Sequence, residues 1–544
     1  MAVSGGFQTT CELLAQTENE AAVAILIPAL DSPEPSIQEG ALRSLLLRRS
    51  LAGQREILRR LHTIDDGWKS IIEEHRASMS HALRDAVLDP SPQLCANGCQ
   101  AILWFREYDL LPALVNAVED EANPNAALAA ATLLDLADLF YSELSGEGPW
   151  RQRRDPELLR ERMTSCLEGS VGRFRRHQRA AIIEAFLMLA AHGNPALRRI
   201  LLDPLDSSYL PLVDVLTHSL RPGVQRLILD FLDDPHAPSS TLALIAHRGD
   251  LPFIERLLHR IGAAPKTTVR HNLARVGSIA WLRDPRTLLD SLEEDYQQAV
   301  VHLVQASSMN RLEAFAVIAY LAVQGKAAGR RAAVAALREY HGVEANKLAL
   351  KALEDDDEEV QALAIRQLRD RGIPGAISIL IDALAAASAA VRDAARECLT
   401  EFAFPRFLAT FDMLDEEVRG TTAMLVRKID PNTVPLLREE FKSPSRRRRI
   451  RAVQMAAAIQ CVGELHEEIL ESMLDGDHLV RLEAARALGQ SDSPEACAAL
   501  REAEDDRSLT VREAAASSLD RIARRSPELG LLTGAGAPQE PPHA

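Results

Sequence analysis

The sequence predicts an all-α fold, an α-solenoid in which antiparallel helix pairs stack into a superhelix. Three observations predict it. The chain has 544 residues, well beyond the usual size of one hydrophobic core, so it either divides into globular domains or extends as an array. Apolar residues make up 47% of it but aromatics only 4%, and Ala and Leu dominate over alternating β-branched runs, which is helical composition. A short segment also returns about every thirty residues, the period of one helix-turn-helix unit.

The recurrence is plainest in DGDHLVRLEAARALG (Asp475 to Gly489) and DDRSLTVREAAASSL (Asp505 to Leu519). Each reads as an acidic turn, then Val-Arg, then an Ala-rich helix. The branched apolar position recurs at Val360, Val391, Val418, Ile450, Val480 and Val511, in steps of 31, 27, 32, 30 and 31 residues. The next residue is Gln361, Arg392, Arg419, Arg451, Arg481 and Arg512. One Arg per unit at fixed register, as at Arg481 and Arg512, suits bonding to a neighbouring turn. Small residues a few places on (Ala364, Ala395, Ala452, Ala484, Ala515) let helices approach closely, and Leu368, Leu399, Leu425, Leu488 and Leu519 continue the apolar stripe.

On these residues the chain resembles the HEAT repeat family, especially its short Ala-rich bacterial units grouped with phycobilisome-lyase repeats. The family's turn Asp and the Arg after its Val are similar to Asp477 with Arg481 and Asp506 with Arg512. The pattern departs at Gln361, at Ala385 to Ala387 and at the Ser-Pro-Ser turn before Arg451, so a continuous Asp-to-Arg ladder is not expected. Residues 346–525 are expected to form regular repeats and residues 1–345 divergent helical ones. Interruptions fall near 142–155 (SELSGEGPWRQRRD) and 233–240 (DDPHAPSS). Residues 526–544, rich in Gly and Pro, are expected to be disordered.

The resemblance implies a non-catalytic scaffold or adaptor that binds a protein partner through the concave face of the solenoid. The alternatives are an enzyme on helical repeats, such as a chromophore-lyase-like protein, or a nucleic-acid-binding repeat protein. The chain carries no GxxxxGK[ST], HExxH or GxSxG, and a single His-Glu dyad, His466-Glu467, falls short of the several that helical-repeat di-iron hydroxylases use. No catalytic residue, metal or cofactor is therefore assigned, and the chain is read as a non-enzyme. No apolar run is long enough to cross a bilayer and no leader is recognised, so a cytoplasmic location is expected. The seven cysteines are scattered, with Cys95 and Cys99 read as buried apolar residues.

Two basic clusters are the candidate partner-binding residues. Arg446, Arg447, Arg448, Arg449 and Arg451 crowd the start of a predicted helix, where the dipole disfavours each exposed cation by about 0.3–1 kcal/mol. Such a local conflict marks either a docking site for an acidic partner or neutralisation by neighbouring acids such as Glu416, Glu417, Glu439 and Glu440. The second cluster includes Arg173, Arg175 and Arg176, within a stretch from Arg151 to Arg179 interleaved with Trp150 and Phe174. Arg beside aromatics suits phosphate and base contacts, but Asp155, Glu157, Glu161 and Glu168 dilute the charge, and the formal net charge is -16.

Overall fold

The computed structural model describes residues 5–146, 155–283 and 286–526, and within them no residue lies in a strand. Contacts divide the chain into two units, Met1–Ala333 and Val334–Ala544.

In the first unit, second helices of successive pairs stack on one another. Ala126–Leu144 packs on Ala180–Leu189, which packs on Pro222–Asp230, and Leu251–Ile261 packs on Glu294–Ala306. The Ala180–Leu189 helix, AAIIEAFLML, is apolar almost all round because it has neighbours on several sides. Ile182, Ile183, Phe186, Leu187 and Leu189 are all buried. Side-chain caps start the shorter helices: Asn194 accepts from the Leu197 N–H and Asp250 from the Phe253 N–H. The segment near 233–240 is a packed turn between a 3-10 turn ending at Asp233 and a helix starting at Ser239. Asn272 Nδ2 donates to the Asp234 carbonyl at 2.8 Å across it. Of the other interruption, the Ala126–Leu144 helix occupies the first residues and Asp155 caps the helix Pro156–Val171. Residues 147–154, with Trp150, Arg151, Arg153 and Arg154, lie outside the described residues, as do 527–544.

In the second unit the second helices are Glu358–Leu368, Ala389–Cys398, Glu416–Ile429, Arg446–Ala458, His478–Leu488 and Leu509–Arg525. Each follows an N-cap in extended conformation: Asp357, Ser388, Asp415, Ser445, Asp477 and Ser508. The first two helices stack closely, as do the last three, but Ala389–Cys398 and Glu416–Ile429 barely touch. The core divides at the same place. One cluster gathers around Ile365, Leu368, Leu380 and Leu399, with Ile429 joining it, and another runs from Phe404 to Ile522.

The N-caps fix the register. In five helices the fourth residue past the cap is the expected one: Gln361, Arg392, Arg419, Arg481 or Arg512. In the Arg446–Ala458 helix it is Arg449, preceded by Arg448, and not Arg451 preceded by Ile450. Spacing between branched residues misplaced this unit by two, because Arg448 fills the slot that Val fills elsewhere. Val418 departs differently. Val360, Val391, Val480 and Val511 are buried, whereas Val418 is 44% exposed, since the preceding second helix does not cover it.

Candidate functional site

The fourth residue past each cap closes the turn in front of its own helix. Gln361 donates to the Asp355 carbonyl at 2.6 Å, Arg392 to Ala386 at 2.7 Å and Arg419 to Leu414 at 2.9 Å. Arg449 donates to the Ser443 carbonyl at 3.0 Å, Arg481 to Asp475 at 2.8 Å and Arg512 to Asp506 at 2.8 Å. The substitution at Gln361 thus keeps the bond that defines the position.

Two of these arginines also reach the next repeat. Arg449 holds the Asp475 carboxylate with Nε at 2.7 Å and Nη2 at 3.2 Å. Arg481 holds Asp506 at 2.8 and 3.0 Å. Both carboxylates lie two residues before an N-cap, a place that Asp355 also fills before Asp357, whereas the other units carry Ala386, Met413 and Ser443 there and lack the acidic half of the rung. Asp477, matched by resemblance to Arg481, instead caps its own helix through the Leu479 N–H and takes Arg446. In the first unit Arg198 repeats the design, donating to the His192 carbonyl and pairing with Asp234.

Every member of the first basic cluster has a carboxylate. Arg446 pairs with Asp477 at 3.2 Å, Arg447 with Asp412 at 2.8 Å and Arg451 with Asp412 at 3.9 Å. Arg448 donates to Glu440 at 2.8 Å. Acids from the unit itself and from the preceding and following ones thereby offset the unfavourable dipole. Of those anticipated, Glu440 does so, and Asp412, Asp475 and Asp477 supply the rest. Arg447 stays 82% exposed, and a pair that open adds little to stability.

The second cluster is less neutralised. Arg173 bonds Glu119 and the Gly169 carbonyl, while Arg175 and Arg176 are exposed and have no side-chain partner among the described residues. Phe174 is buried edge-on to His177, so it offers no stacking face. Arg160 and Arg179 are turned to the Leu189 and Val118 carbonyls.

The acidic run EDDDEE caps a helix through Asp357, which accepts from the Glu359 and Val360 N–H groups. Cys95 and Cys99 are buried, and the Cys95 thiol donates to the Val87 carbonyl at 3.4 Å. Among the described residues no three His, Cys, Asp or Glu side chains gather as a metal site would need.

Sequence reasoning did not anticipate a groove in the first unit. Two adjoining cavities, about 380 and 240 Å³, share Tyr141 and Arg226. Arg226 is fixed from four sides. Its guanidinium lies 5.7 Å from the centre of the Tyr141 ring, and it donates to Asp230 at 2.8 Å, to the Ala190 carbonyl at 2.8 Å and to the Met188 carbonyl at 3.4 Å. Burial lowers its affinity for its proton, with Asp230 opposing. Arg260 pairs with Asp230 and Asp233. The remaining polar lining is open to solvent: the hydroxyls of Tyr141 and Tyr296 and the side chains of Glu255, Arg256 and His259 have no hydrogen-bond or ion-pair partner among the described residues. No local signal marks these residues, because they come together from helices of separate repeats.

Comparison with known proteins follows the repeats. No curated protein matches the chain. Human deoxyhypusine hydroxylase in complex with glycerol is similar at 19% identity over 44% of this chain and 94% of its own, with a TM-score of 0.18. A structure concerning the phosphorylation switch that controls the interaction between cadherin and beta-catenin is 14% identical over 92% of this chain and 99% of its own, at a TM-score of 0.35. A Kap95p and RanGDP structure is 11% identical over 97% and 84%, at 0.29. The family model for HEAT repeats matches residues 316–400 and 434–520, and across those two segments the chain is built of HEAT repeats.

Proposed function

We propose that this protein is a non-catalytic scaffold or adaptor that binds a protein partner along the second helices of its repeats. The observation that carries the reading is the groove of the first unit. There the repeats have used their apolar faces on one another, and two tyrosines, an arginine and a histidine present polar atoms that no described residue satisfies. Tyr and Arg are the side chains that most often dominate protein interfaces, because each couples a large contact area to a fixed polar group. Stacked repeats supply extended surfaces of this kind. Phe174 is buried, so the Arg173, Arg175 and Arg176 cluster lacks the stacking platform that a single-stranded nucleic acid uses, and the nucleic-acid alternative receives no support from it.

Site-specific photo-crosslinking tests the proposal. A photoreactive side chain in place of Tyr296 is expected to give a discrete protein adduct in cells, and the same group on first-helix positions none. Adducts at first-helix positions alone, or none anywhere, overturn it.

A further inference from the structure

Building on the scaffold reading, we infer that the groove around Arg226 binds an extended polypeptide segment, with a carboxylate side chain of that segment seated on Arg256 and His259.

Length argues for a segment over a small molecule. The lining is drawn from the helices Ala126–Leu144, Pro156–Val171, Ala180–Leu189, Pro222–Asp230, Leu251–Ile261 and Glu294–Ala306. The two cavities share Tyr141 and Arg226 and run on from Leu144 and Glu157 to His259 and Tyr296, a continuous groove across several helices. An extended chain laid along it advances about 3.4 Å per residue, so several residues lie within the groove.

Charge and hydrogen bonding argue for a polypeptide over a polyanion. Within the groove, Arg226 and Arg260 are committed to Asp230 and Asp233, and Arg160 sits 3.6 Å from Glu157. Arg256 is left as the guanidinium without a carboxylate, one turn from His259 on the same helix face. It asks for one anion, not a run of them. Glu255 lines the same cavity and is equally unpaired, so it repels a phosphate backbone yet accepts readily from a peptide N–H. The two tyrosine hydroxyls complement it by donating to peptide carbonyls. A surface offering donors and acceptors together, plus one seat for a carboxylate, fits a mixed polypeptide with an Asp or Glu.

Fluorescence anisotropy with the full-length protein tests this with three probes: an eight-residue peptide carrying two central glutamates, the same peptide with glutamines, and a single-stranded oligonucleotide of similar length. The glutamate peptide is expected to bind at least tenfold more tightly than the glutamine peptide, and Arg256→Glu to abolish that preference. Arg256 is exposed and makes no ion pair among the described residues, so its replacement should leave the fold intact, as circular dichroism will confirm. Arg84→Glu, an equal charge change on an exposed residue outside the groove, is expected to leave binding unchanged. Equal loss in that variant, equal affinity for both peptides, or tighter binding of the oligonucleotide each overturns the inference. If position 296 still crosslinks a protein whose binding ignores Arg256→Glu, the inference fails and the scaffold reading survives.

Discussion

At the scale of single residues, the fourth position past each cap separates two tasks that the resemblance had merged. Closing the turn requires only a side-chain N–H, which Gln361 supplies as well as any Arg. Reaching the next repeat requires a guanidinium and a carboxylate two residues before the following cap. Arg512→Gln is therefore expected to change stability by less than about 0.5 kcal/mol. Asp506→Ala, which strands an Arg481 side chain only 14% exposed, is expected to cost about 2–3 kcal/mol in urea denaturation. Equal costs would show that the rung adds nothing. Acidity gives a second handle. The bond from Arg481 holds the Asp506 carboxyl below its ordinary range. At Asp475 burial pushes upward, but Arg449 and the Asp477 N–H outweigh it and the net shift is also downward. A carboxyl depressed in the folded state contributes fully above its unfolded value of about 3.9 and loses that contribution as pH falls through the folded value. The gap in melting temperature between wild type and Asp506→Asn should therefore be constant near neutrality and shrink below about pH 4. A gap independent of pH would remove the ion pair from the explanation.

At the scale of elements, the unit spanning the helices Phe404–Thr410 and Glu416–Ile429 is the irregular one. Its second helix barely meets the preceding one, Met413 is 85% exposed, and the family match stops at residue 400 and resumes at 434. Val480→Ala, in a closed stack, is expected to cost about 2 kcal/mol, and Val418→Ala less than about 0.5. Matching losses in a thermal melt would mean that Val418 is covered after all. Much of this architecture was legible in the sequence, since apolar periodicity and small residues report directly on helix packing. The shift at the Ser-Pro-Ser turn was not, because Ile450 looks like a register residue while Arg448 holds the slot. The uncovered face of Val418 was equally hidden, for it depends on how two helices stack and not on either one. Neutralisation of the arginine row was half legible: Glu440 lay close in sequence, whereas Asp475 and Asp477 arrive from the following repeat.

At the scale of the whole molecule, a repeat array holds together by nearest-neighbour contacts, so a weak step in the stack should become a boundary of cooperativity. The groove belongs to this scale too. Its residues run from Tyr141 to Tyr296, and only stacking makes them neighbours, which is why no window of sequence shows them. For the second unit the boundary falls between the cluster around Leu380 and the one around Ile469. Leu380→Ala and Ile469→Ala each remove a fully buried side chain at an expected cost of about 2–5 kcal/mol. If each cluster opens as its own unit, hydrogen exchange will show Leu380→Ala speeding exchange mainly in the Glu358–Leu368 and Ala389–Cys398 helices. Ile469→Ala will do the same in the helices from Arg446 onward. Phe402 packs against both clusters, so it is a side chain through which the two would communicate. Acceleration of both sets by either substitution, abolished when Phe402→Ala is added, would mean that this one contact is strong enough to make the unit fold as a whole.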